Sequence, residues 1–277
     1  MESSLNVIVS EALKQMLARP KRLEYASAWV GHIPFAHWLV HEARPNIVVE
    51  LGTHNGVSYS AFCEAALSNG LPTKLYAVDT WEGDKHATFY SSKVFSDLKA
   101  FHDQRYAALS TMMRMTFDDA LAHFADGSVD IIHVDGLHTY EAVKHDFETW
   151  LPKASERGVM LFHDTQMRHA DFGVWKFWEE VRGRYPSFEF HHSCGLGVLC
   201  VGSQPPQALL ELCTQAEPEM DTRIRSTFAF AGDRWQAEAN IIKLQRVISL
   251  ERIAAAKRVV KRIISPYTTL KAMVRNR

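Results

Sequence analysis

Two acids and two histidines sit at the ends of apolar runs: Asp135 and His138 in VDGLH, and His163 with Asp164 in FHD. An imidazole takes up protons near neutral pH, so a positioned histidine is a candidate general base. Carboxylates beside an imidazole can also hold a divalent cation, which acidifies a nearby hydroxyl. A second pair of blocks combines acids with glycines. Glu50, Gly52 and Gly56 in VVELGTHNG form an ExGxxxG pattern, and Asp79 closes KLYAVD. Glycines let a backbone approach a ligand closely, and free amides at a helix start favour an anion. An acid at the end of a second strand can accept ribose hydroxyls. His54 stands where a nicotinamide-binding GxGxxG needs a glycine, which argues against a nicotinamide-dependent oxidoreductase.

The elements that must carry these blocks follow from periodicity. Helical patterns cover roughly residues 4–18 and 33–43. Short β-branched or apolar runs at 46–52, 74–79, 112–117, 129–136 and 158–164 read as strands. Helices at about 56–69, 90–108, 139–150 and 172–184 alternate with them, and 188–192 with 195–202 reads as a closing hairpin. Alternation of this kind predicts an α/β fold, a doubly wound Rossmann-like sheet of seven mostly parallel strands with helices on both faces. The final pair is joined too briefly for a parallel crossover, so one of its strands is expected to run antiparallel. Ligands of such sheets bind at the carboxyl ends of the strands, where Glu50–Gly52, Asp79, Asp135–His138 and His163–Asp164 all fall.

ExGxxxG followed by an acid ending the second strand resembles the class I S-adenosylmethionine-dependent methyltransferases. AVDTWEGDKHATFY, IIHVDGLHTYEAVKHD and GVMLFHDT are similar to a bacterial subgroup found beside surface-polysaccharide glycosyltransferases, the macrocin-type sugar O-methyltransferases among them. The resemblance covers about residues 30–202 and implies S-adenosylmethionine as cofactor. It implies that Glu50, Gly52 and Gly56, with Thr53, Asn55 and Ser58, frame the methionine half. Asp79 would hold the ribose, with Thr80 and Trp81 near the adenine and Asp118 or Asp119 reaching its amine. On the same carry-over Asp135, His163 and Asp164 bind a divalent metal, and His138 is the base. Related enzymes mostly carry an acid or amide where this chain has His163. The metal is therefore open between magnesium, manganese and softer ions, and a metal-free site in which His163 contacts the acceptor also stays open. The implied activity is methyl transfer to a sugar hydroxyl of a glycan or glycosylated metabolite. A degenerate methyltransferase fold serving as an interaction module in a glycan-assembly complex is the alternative.

Other residues have plainer readings. His133 lies inside an apolar strand and reads as a core histidine, while His145 and Asp146 read as a solvated face. Trp175 and Trp178 read as packing against the sheet. Hydrophobic content of 47% and charged content of 23% belong to an ordinary globular chain. The net charge is -1, yet Glu251–Arg277 holds eight Lys or Arg against Glu251 alone, so the rest is acidic. That acidic body argues against specific nucleic-acid binding. Four cysteines without CxxC pairing suit reduced thiols in the cytoplasm, and MESSLNVIVSEALKQ, with acids at 2 and 11, is no secretory signal.

The chain divides into N-terminal helices (1–45), a cofactor-binding domain (46–202) and a C-terminal helical extension (203–277). SQPPQ reads as a linker or helix start, and a long helix is expected over about 233–264, stopped by Pro266. Its role stays open between packing on its own domain, pairing in a homo-oligomer and lying on the inner face of a membrane through its basic end.

Overall fold

The computed structural model describes residues 11–275 with the exception of 26 and 87. Helices α1 (Glu11–Met16) and α2 (Ile33–Ala43) precede the sheet, separated by a 3-10 turn over Ala28–His32. Part of the helix expected over 4–18 lies outside the described residues. Then follow β1 (Ile47–Leu51), α3 (Val57–Ser68), β2 (Lys74–Asp79), and a short ribbon of β3 (Gly83–Asp84) with β4 (Thr88–Phe89). Next come α4 (Ser92–Arg105), β5 (Ser110–Arg114), α5 (Phe117–Ala120), β6 (Val129–Val134), α6 (Tyr140–Trp150) and β7 (Ala154–His163). The chain closes with α7 (Val174–Val181), β8 (Ser187–Phe190), β9 (Leu196–Cys200), α8 (Gln207–Cys213) and α9 (Pro218–Arg275).

The sheet has seven strands in the order β5-β2-β1-β6-β7-β9-β8. The first five lie parallel, and β9 runs antiparallel to both β7 and β8. The expected reversal at the end is therefore present. Side-chain alternation builds two cores. Val48 and Ile131 face one layer with α2 and α3, while Val49 and Ile132 face the other with Phe147 and Trp178. All six residues of β6 are buried, as a central parallel strand requires. The chain leaves β1 toward β2 and β5, then crosses to β6 on the other side. The crevice above β1 and β6 is the switch point where such sheets bind ligands.

The flanking segments share this core. Trp29, Phe35 and Trp235 are buried in the same cluster as Val48. Helix α9 begins earlier and ends later than the sequence suggests, spanning 58 residues and roughly 87 Å at 1.5 Å per residue. Pro266 lies within it. The helix crosses the 3-10 turn at Gly232, where a Cβ would run into the Gly31 carbonyl. A Cβ at Gly31 would in turn collide with the Ser193 side chain. Among the described residues no helix is long and apolar enough to cross a membrane. Cys63, Cys200 and Cys213 are buried thiols and Cys194 is half-buried, without a disulfide.

Candidate functional site

The loop after β1 is drawn onto the end of β2. Asp79 accepts hydrogen bonds from the Thr53 and His54 amides at 2.9 Å each and from the Trp81 amide at 2.6 Å. Buried Arg22 pins the same loop by donating to the Asn55 carbonyl. A carboxylate has about four acceptor sites, so Asp79 keeps capacity for a further donor. The glycines here also make room for neighbouring protein. Gly52 (φ +89°) gives its Cβ space to the Asp135 backbone, and Gly56 (φ +71°) to the Leu98 side chain. Gly136 in turn leaves room for the Phe117 ring.

Above the β1–β6 crevice lies a cavity of about 340 Å³, within the usual size range of small-molecule sites. Of the predicted cofactor residues, Gly52, Thr53, Asn55, Gly56, Ser58, Asp79 and Thr80 line it, as do Asp135 and His138. Thr53 is 3% exposed and its hydroxyl has no hydrogen-bond partner among the described residues, so a polar ligand atom would satisfy it. Three predicted residues are not on the wall. Glu50 is fully buried and accepts a hydrogen bond from His133 Nδ1 (2.9 Å), whose Nε2 accepts from the Trp29 indole (3.0 Å). Burial raises the Glu50 pKa, and its bond to His133 opposes that shift. Trp81 is 1% exposed, packs on Phe95 and donates to the His54 carbonyl. Asp118 is exposed and meets His145 at 2.8 Å.

Residue type alone gave no reason to name Ser27, Tyr90 or Phe117, yet all three line the cavity. Tyr90 lies flat on His54, ring centroids 4.4 Å apart. An aromatic in a loop more often packs than binds, so its type carried no signal.

At the carboxyl ends of β6 and β7 four predicted residues meet. His138 Nε2 is 3.0 Å from Asp164 Oδ2 and 3.5 Å from Asp135 Oδ1. His163 Nδ1 is 3.3 Å from Asp135 Oδ1 and 3.6 Å from Asp164 Oδ1, and its Nε2 donates to the Ser193 carbonyl at 3.1 Å. Ligands about 2.0–2.2 Å from a cation stand roughly 3 Å from one another, so these separations fit a coordination shell. The trio whose ligand atoms all lie within 4.8 Å of one another is Asp135, His138 and Asp164. His163, the third ligand expected from the resemblance, is outside that trio. Its Nε2 is tied to a turn in which Ser193, Cys194 and Gly195 all have positive φ.

Electrostatics within the cluster are strong. Burial disfavours a charged His138, yet hydrogen bonds to Asp135 and Asp164 hold its pKa up at about 9. Burial likewise opposes charge on His163, and attraction to Asp135 raises it well above the ordinary range. Asp164 stays at about 2 despite burial because both histidines stabilise its anion. His138 lies beside Phe172 (5.0 Å, 3° between planes) and His86 (5.6 Å), whose rings stand 4.5 Å from each other, and its Nδ1 is buried without a partner among the described residues. His86 and Lys85 both pair with Asp171, which ties the loop before β4 to the one after β7.

His133 is the core histidine expected. His145 is exposed, but Asp146 is only 6% exposed, which corrects its reading as solvated. It stands one turn from Val143 and Trp150 on the packed face of α6, beneath Gly136. Burial lifts its pKa from 3.8 to about 7. The folded chain then binds more protons than the unfolded one between those values, so stability falls as pH rises through about 4 to 7. Asp146→Asn should raise stability at pH 8 by up to ~4 kcal/mol and flatten that slope, read by urea denaturation at several pH values. An unchanged slope would mean that Asp146 ionises freely in the fold.

Residues 49–165 match the family model Methyltransf_24, a methyltransferase domain. Over 224 residues, 80% of this chain, the sequence is 44% identical to the uncharacterized protein y4gI of Sinorhizobium fredii. The chain spans about a quarter of that relative, 24% of its length. Two solved structures are similar at low identity. The O-methyltransferase TomG from Streptomyces achromogenes, in complex with SAM, is 15% identical, with TM-score 0.47 over 73% of this chain and 91% of that one. The SAH-bound Podospora anserina methyltransferase PaMTH1 is 14% identical, with TM-score 0.47 over 69% and 87%.

Proposed function

We propose that this chain is an S-adenosylmethionine-dependent O-methyltransferase acting on a sugar hydroxyl. The observation that carries the reading is one cavity whose walls hold both the loop Gly52–Ser58 with Asp79 and the cluster begun by Asp135 and His138. The methyltransferase-domain match spans the same residues. The sugar assignment rests on the motif resemblance alone.

Thr53 Oγ1 and the remaining acceptor capacity of Asp79 supply polar partners for the cofactor, and Asp135, His138 and Asp164 supply a donor set for a divalent ion. Such an ion would add Lewis acidity that favours ionisation of an alcohol. Without it, Asp135 and Asp164 hold His138 as an imidazolium. The base is the neutral form, reached above about pH 9: Nδ1 gives up its proton to solvent, Asp164 keeps the one on Nε2, and Nδ1 can then take a proton from the acceptor hydroxyl. The Phe172 ring, 3° from parallel with that of His138, supports its ring plane.

Titration calorimetry with S-adenosylhomocysteine tests the reading at its root. Binding in the micromolar range is expected, weakened at least about tenfold by Asp79→Ala, since a hydrogen bond to a charged group is worth roughly 1.5–3 kcal/mol. No binding by the wild-type chain would remove the methyltransferase activity.

A further inference from the structure

A second cavity of about 710 Å³ opens beside the first, and Ser27 is a wall of both. Leu23 and Tyr25 form one side, and Lys243, Arg246 and Leu250 of α9 form the other. Ala239, Lys243, Arg246 and Leu250 are spaced four, three and four apart, which places them on one helix face. Ala239 is still packed on the body, so the groove begins where the helix leaves it. The wall's acid, Glu24, lies 3.7 Å from Arg22. Among the described residues neither Lys243 nor Arg246 has an ion-pair partner. Two free cations beside apolar walls, next to a reaction cavity, complement an anion carried on an apolar chain.

We infer that this groove binds the remote part of the acceptor, a phosphoryl group on an apolar chain, while the reacting hydroxyl lies in the first cavity. The inference rests on the methyl-transfer reading above for the word acceptor, but the groove itself can be tested apart from it. Lys243 and Arg246 can both reach one phosphoryl group from successive turns, and arginine offers it a paired donor fork. A groove walled on two sides and sharing the Ser27 wall with the reaction cavity suits a single molecule better than a bilayer surface.

The test is calorimetry on the full chain with monomeric octyl phosphate, with octanol, inorganic phosphate and phosphatidylglycerol vesicles as comparisons. Octyl phosphate should bind more tightly than octanol or inorganic phosphate. Lys243→Glu combined with Arg246→Glu should weaken it about tenfold or more, given the usual worth of charge-assisted contacts. Both side chains are exposed, so the variant should fold, and its affinity for S-adenosylhomocysteine should stay within twofold. Equal binding of octyl phosphate by the variant overturns the inference. So does displacement of octyl phosphate by S-adenosylhomocysteine, or binding seen only on vesicles, which would give this face to a membrane. If S-adenosylhomocysteine fails to bind the wild type while octyl phosphate still depends on Lys243 and Arg246, the groove stands and the methyl-transfer reading falls.

Discussion

His138→Ala should lower turnover about 10²–10⁴-fold, the usual worth of a positioned base, while leaving S-adenosylhomocysteine affinity within a few-fold. The residue pairs with Asp135 and Asp164 rather than with Asp79, to which the loop Thr53–His54 is bonded. A base acts in its neutral form, so the rate should rise with pH through its pKa. An unperturbed imidazole would place that limb near 6.5, whereas Asp135 and Asp164 move it to about 9 in protein free of divalent ions. Adding manganese should shift the limb downward, because a cation on those carboxylates removes the attraction that retains the proton. Near wild-type turnover in His138→Ala, with the limb intact, would take proton transfer away from this residue.

Gly52→Ala should be the most damaging small substitution in the crevice. At φ +89° a side chain is strained, and its Cβ would overlap the Asp135 carbonyl. Strain of this kind costs about 1–3 kcal/mol before any displacement of β6. A total loss above about 3 kcal/mol is expected, with S-adenosylhomocysteine binding lost alongside it. Gly70→Ala is the natural control, with φ +59° but open space around the added carbon. It should cost only about 1–2 kcal/mol. Chemical denaturation of both variants separates the two contributions, and similar losses would mean that the close approach to Asp135 relaxes freely.

The alternating elements were legible because short buried strands and amphipathic helices have different hydrophobic periods, and glycines mark where one becomes the other. The meeting of Asp135, His138, His163 and Asp164 was legible too, since parallel strands bring their carboxyl ends to one edge. What the sequence did not disclose is the covering of that edge. Asp164, Ser193 and Cys194 adopt positive φ without being glycine, and no local rule announces such a turn. Glu50 belongs to the expected motif but sits one step below the strand end, fully buried, and braces His133, while the cavity wall begins at Gly52. Asp146 misled for a related reason: a charged residue on a helix reads as solvated until the packing of its neighbours is known.

The crossing of Gly31 with Gly232 carries a consequence for how this chain can diversify. Gly232 tolerates no side chain while the Gly31 backbone stays in place, and Gly31 tolerates none while Ser193 stays in place. A larger residue at 232 would have to be accompanied by withdrawal of the turn Ala28–His32. That turn delivers Trp29 to His133, and His32 to the same Ser193 carbonyl that holds His163. A change at this one position of the helix would thereby be felt at Ser193 and His163 through the backbone of the turn. The C-terminal helix has freedom along its outer face, but its crossing at Gly232 is mechanically one unit with the histidines.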